Sequence, residues 1–144
     1  MDMAQDQIFW PMGALALLTF FVLSNIPFRR FAAGRAGKVG AADFKYGESL
    51  RVPADVSIPN RNYMNLTELP VLFYVAALMY FVAHRVDLVC LALAWCYVGL
   101  RFLHTLIHLS YNNVYHRLGV FAFSSFLLLL FWLWFFVREM ALFA

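Results

Sequence analysis

The chain has 144 residues, of which 64% are hydrophobic, 19% aromatic and only 13% charged. A soluble domain carries about 25% charged residues, so this composition excludes an ordinary water-soluble globule and points to an integral membrane protein. The net charge of +3 is no nucleic-acid signal either, because the basic residues sit mostly between apolar runs and form no patch interleaved with aromatics.

The N-terminal stretch "MDMAQDQ" holds Asp2 and Asp6 and no Lys or Arg, which is the wrong charge for a cleavable signal. The first apolar run, residues 8–28, therefore reads as a retained span, with Pro11 tolerated in its first turn. Residues 29–60 follow as a long polar connection with Arg29, Arg30, Arg35, Lys38, Lys45 and Arg51, broken by Gly and Pro. Irregular structure with at most a short helix is expected there. The second run covers residues 65–83, and "HRVD", residues 84–87, then predicts a tight helical hairpin. The third run covers residues 88–109 and contains Cys90 and Cys96, read as packed thiols of a membrane helix. In "SYNNVYHR", residues 110–117, Asn112 and Asn113 favour a turn. The fourth run covers residues 118–137.

Each run is close to the ~20 residues that cross a ~30 Å hydrocarbon core. Backbone groups in lipid must be satisfied internally, so spans of this length are helices. The expected fold is all-α, one four-span bundle embedded in the bilayer. The first connection holds six of the eleven Lys and Arg residues, and Arg117 lies on the same side. The positive-inside rule places those connections in the cytoplasm and both termini outside. The short tails suit a bacterial inner (plasma) membrane better than the endoplasmic reticulum.

Charged groups inside a membrane helix are costly and need partners. In "RNYMNLTELP", Arg61, Asn65 and Glu68 fall at i, i+4 and i+7, on one helical face. Met64 borders that face, whereas Asn62, Tyr63, Leu66 and Thr67 point elsewhere. In "RFLHTLIHL", Arg101, His104 and His108 fall at i, i+3 and i+7 and share a face, with Thr105 beside them. Glu68 is the only acidic residue within the four runs, so an Arg101–Glu68 pair bridged by Asn65 is the cheapest way to satisfy the buried cation. The two faces predict a polar, anion-accepting cavity, to which Arg117 adds a further cation. His104 and His108 also have metal-pair spacing, but the acidic ligand of a zinc site would have to be Glu68, which Arg101 claims. No metal is expected.

These residues carry a resemblance to a known family. Arg61, Asn65, Glu68 and Pro70 match the signature at the start of the second span in the MAPEG family, the membrane-associated proteins in eicosanoid and glutathione metabolism. "RFLHT", residues 101–105, resembles the third-span Arg-x-x-His-Thr of the microsomal prostaglandin E synthase branch, and Arg117 stands where that branch carries a second Arg. Leu118 and Phe121 replace a Ser and a Tyr of the branch, Met64 an Arg, and His108 a Tyr.

The resemblance implies a homotrimer with sites between neighbouring subunits. It implies glutathione as co-substrate, held by Arg61, Asn65, Glu68, Arg101, His104 and His108, with Arg117 stabilising the thiolate. The implied activity is a glutathione-dependent transferase or peroxidase acting on apolar, lipid-like electrophiles. The alternative is a non-enzymatic lipid-binding or accessory subunit of the same fold.

Overall fold

The computed structural model describes residues 4–140; Asp2 lies outside the described residues. A 3-10 turn at Gln5–Ile8 leads into α1 (Phe9–Arg35). It is followed by α2 (Ala54–Thr67), α3 (Pro70–Val82), α4 (Leu88–Leu109) and α5 (Val114–Met140). No β-strand element occurs among the described residues, and four helical stretches, with α2 and α3 counted as one, are long and apolar enough to cross a membrane. One end of the bundle carries the long first connection and the turn before α5. The other carries the 84–87 hairpin.

The helices outrun the apolar runs. α1 continues through Arg29 and Arg30 to Arg35, and α2 begins at Ala54 rather than at Asn65. Apolar content marks only the lipid-embedded part of a helix. The backbone keeps its hydrogen bonds into the headgroup layer until a breaker intervenes. Here the breakers are Gly37, which has a φ of 67° after α1, and Pro53, the N-cap of α2. The irregular segment is correspondingly short, with one 3-10 turn at Ala41–Phe44. Its anchor is Asp43, whose carboxylate accepts from the Gly40 N–H at 2.9 Å and the Ser49 hydroxyl at 2.8 Å, with Arg51 at 3.4 Å. The Gly40 N–H and the Ser49 hydroxyl, helped by Arg51, hold the Asp43 pKa below the ordinary carboxylate value of 3.8. A depressed carboxylate pKa contributes order that is present above the unfolded-state value and is lost as pH falls through the folded one. Amide exchange of residues 40–53 is therefore expected to quicken below about pH 4, beyond its intrinsic pH dependence. Asp43→Asn should show the faster exchange already at neutral pH.

The core lies between α1, α3, α4 and α5 at the hairpin end. α1 buries Pro11, Leu15, Leu18, Val22 and Ile26 at spacings of three and four, the mark of one helical face. Its opposite face exposes Leu17, Phe20, Phe21 and Phe28, as a lipid-facing surface does. Phe73, Tyr97 and Phe131 form a contiguous aromatic group, with Phe73 5.0 Å from Tyr97 and 5.6 Å from Phe131 between centroids. Tyr80 is fully buried and its hydroxyl donates to the Phe131 carbonyl at 2.7 Å. That bond ties α3 to α5, so Tyr80→Phe is expected to lower the thermal midpoint by the equivalent of about 1–2 kcal/mol.

The hairpin forms as the sequence implies, with His84 at a φ of 54°. Asp87 caps α4 by accepting from the Cys90 N–H at 2.8 Å, and it also receives the Trp134 indole N–H. Arg85–Glu139 and Arg138–Asp87 pairs, at 3.0 and 3.4 Å, join the hairpin to the end of α5. Cys90 is buried in the core, whereas Cys96 lies on the exposed face of α4.

Candidate functional site

α4 packs against α1, α2 and α5 and has one continuous buried stripe. From Cys90 to Val98 that stripe is apolar or aromatic; from Arg101 onward it turns polar, with Arg101, His104, Thr105 and His108 all buried. Hydrophobic periodicity set the face, and these residues lie on it, so folding carries them inward.

Arg101 is 0% exposed. Its Nη2 donates to the Asn65 carbonyl at 3.2 Å. The rings of Tyr97 and Phe121 flank the guanidinium, 5.6 and 5.0 Å from their centroids. Nε and Nη1 have no hydrogen-bond partner among the described residues. Cation–π contact is worth about 0.5–2 kcal/mol, whereas an uncompensated buried charge costs several kcal/mol. The ring faces and one neutral carbonyl therefore leave the cation short of an anion.

Around it are further buried polar atoms without partners among the described residues. His104 and His108 meet edge to face at 5.7 Å, and Nδ1 of His104 and both ring nitrogens of His108 are unpaired. Asn62 is fully buried; its Oδ1 accepts from the Thr105 hydroxyl at 3.5 Å, and its Nδ2 has no partner. Buried polar groups are normally satisfied, so such a cluster marks either a strained core or a binding site.

Arg117 reaches the same region from α5. Asn113 caps that helix, its side chain accepting from the His116 N–H at 3.1 Å. Asn112, at a φ of 48°, accepts from Arg117 Nη1 at 2.7 Å and so fixes the guanidinium. A cavity of about 200 Å³ is lined by Asn65, His104, Val114, Arg117, Leu118 and Phe121. Arg101 lies behind its Asn65 and Phe121 walls. The positive end of the α5 dipole faces this region as well, which favours an anion there.

Two expectations are corrected. No Arg101–Glu68 pair forms among the described residues; Glu68 is exposed. The helix ends at Thr67, Glu68 adopts a ψ of −87°, and Pro70 opens α3. The three residues Arg61, Asn65 and Glu68 therefore do not line one unbroken helix. The face turned toward α4 is also different. α2 buries Val56, Pro59, Asn62 and Leu66, leaving Asn65 half-buried and Arg61 exposed. The apolar members of that stripe determine the rotation of the helix, and Asn62 is carried in with them. The structure thus gathers Asn65, Arg101, His104, His108 and Arg117, and leaves Arg61 and Glu68 exposed, with Arg61 still within electrostatic reach of His108. No group of three His, Cys, Asp or Glu side chains suited to a metal occurs among the described residues.

Asn62 and Asn112 belong to the cluster beyond the residues singled out from sequence, and Thr105, expected beside its histidines, joins it through Asn62. Asn62 could have been read as the one amide on an apolar stripe of α2. Asn112 could not, because its role depends on the turn geometry.

The sequence model of the MAPEG family matches residues 8–137, a stretch containing all the polar residues of this cluster. No curated protein and no solved structure matches the chain. The family match runs through nearly the whole chain, and the four long apolar helical stretches beneath it are those of a membrane four-helix bundle. On both grounds the chain belongs to the MAPEG family.

Proposed function

We propose that the protein is a membrane-bound, glutathione-dependent transferase or peroxidase acting on apolar electrophiles. Its Arg-x-x-His-Thr motif, Arg101 to Thr105, resembles that of the microsomal prostaglandin E synthase branch. Glutathione use is general in the family. The observation that carries the reading is Arg101, wholly buried and with two guanidinium nitrogens unpaired beside the Arg117 cavity.

The donor set fits an anionic tripeptide in part. Arg101 Nε and Nη1 and Asn62 Nδ2 are free donors of the kind a carboxylate accepts from. Arg61 and Glu68 have opposite charges and lie exposed on the same protomer, suited to the outer part of the ligand. The cavity of about 200 Å³ is smaller than the ~300–1,000 Å³ of ordinary ligand sites. One protomer thus supplies part of a site, consistent with a homotrimer whose neighbouring subunits complete it.

Bound glutathione supplies a nucleophilic thiol. Arg117, held by Asn112 at the positive end of α5, favours negative charge on sulfur at the cavity mouth. Arg101 and Asn62 fix the inner end, and Asn65 and His104 form part of the wall. Leu118 and Phe121 make the remaining wall apolar, which admits a lipid-like electrophile and excludes water. With the basic connection in the cytoplasm, this mouth opens on the cytoplasmic side of a bacterial inner membrane.

Leu118 and Phe121 also favour the second reading, a non-enzymatic lipid-binding subunit, since they replace hydroxyl side chains of the prostaglandin branch. Detergent-purified protein decides between the two. The enzymatic reading expects saturable glutathione binding and conjugation of chlorodinitrobenzene above the uncatalysed rate. Absence of both, with retained acyl-lipid binding, supports the accessory role.

A further inference from the structure

A second cavity, of about 680 Å³, lies at the same end of the bundle but shares no residue with the Arg117 cavity. It runs along the last turns of α1, under the connection that folds back over them. Two adjacent rows of the helix line it, Ile26–Arg30–Gly34 and Pro27–Phe31–Arg35, each at i, i+4 and i+8. Val39 and Phe44 of the connection close the other side. They are held there by packing against Ala33, Val52 and Val56.

The groove has polarity along its length. α1 has 27 residues, about 40 Å at 1.5 Å per residue, which exceeds the ~30 Å hydrocarbon core. Its final turns therefore stand at headgroup level. Ile26 and Pro27 lie toward the hydrocarbon, Arg30 and the exposed Phe31 share the next turn, and Arg35 lies nearest the headgroups. Arg30 stacks over Phe44 at 4.4 Å and bonds Glu48 at 3.0 Å, while its Nε is buried without a partner. Glu48 offsets that one cation only. Arg29, Arg35 and Lys38 make no ion pair among the described residues. An apolar channel ending in surplus guanidinium charge is complementary to an amphiphile with an anionic head.

We propose that this groove binds an anionic phospholipid of the adjoining leaflet. Its acyl chain lies along Ile26, Phe31 and Phe44, and its phosphate meets Arg35 and Arg30. The lipid would tie the first connection to the bilayer, independently of any chemistry at Arg117.

The test uses full-length protein in nanodiscs containing phosphatidylglycerol with a photoactivatable group on its acyl chain. Labelling is expected to concentrate in peptides spanning residues 26–44, and phosphatidylcholine with the same group should label them far less. Arg35→Gln is expected to reduce labelling about fivefold, the loss of one interfacial cation. Arg35 is exposed and unpaired, so this variant leaves the fold intact. Arg117→Ala should label as wild type does, which separates this site from the proposed glutathione site. Equal labelling by phosphatidylcholine, no effect of Arg35→Gln, or labelling centred on another face, such as Val75 and Leu78, overturns the proposal.

Discussion

Arg117→Ala is expected to lower conjugation turnover about 10²–10³-fold, the usual loss when one electrostatic stabiliser is removed from a reacting centre. Glutathione affinity should change much less, because Arg101 and Asn62 hold the inner end of the site. The readout that separates a chemical role from a structural one is the ultraviolet absorbance of bound thiolate across pH. In wild type the bound thiol should titrate below its value in free glutathione, and in Arg117→Ala it should return toward that value. Arg117→Lys keeps the charge but loses the fixed geometry with Asn112. Partial recovery of the thiolate signal is expected from it. Thermal midpoints of these variants should stay near wild type, since the Arg117 side chain is only half-buried. Unchanged turnover in Arg117→Ala would remove the residue from the chemistry.

The second large effect is one of sign. Arg101→Met removes a buried cation that has one neutral hydrogen-bond acceptor and two unpaired nitrogens. Replacing buried ionic groups by apolar ones of similar size is often neutral or stabilising. Ligand-free Arg101→Met is therefore expected to be at least as stable as wild type. Glutathione at 100 times its Kd should stabilise wild type by about 2.7 kcal/mol, and that gain should vanish in the variant. If Arg101 were only glue between α2 and α4, the variant would lose about 3–5 kcal/mol without ligand. The two outcomes do not overlap, and a thermal scan with and without glutathione separates them.

The helical framework was readable because lipid leaves the chain few choices. Four apolar runs of spanning length, separated by short polar or Gly- and Pro-broken stretches, could only be helices and turns. The ends were less readable, because α1 and α2 extend into polar sequence that composition alone scores as loop. The α4 half of the site was also legible: Arg101, His104 and His108 lie on the apolar stripe of their own helix, so their burial follows from it. The inward face of α2 was misread for a definite reason. Polar residues were matched to polar residues, whereas Val56, Pro59 and Leu66 set which face of α2 turns inward. That rotation buries Asn62 and leaves Arg61 exposed. The break between Thr67 and Pro70 takes Glu68 off that helix face. The expected ion pair is absent among the described residues, and the two unpaired nitrogens of Arg101 are the strongest reason to expect an anionic ligand.

Calorimetric titration of glutathione into the detergent-solubilised protein addresses that ligand most directly. Saturable binding is expected in wild type and in Tyr80→Phe, and none in Arg101→Met. Heats of dilution alone in wild type, or equal affinity in Arg101→Met, would contradict an anion site built on Arg101.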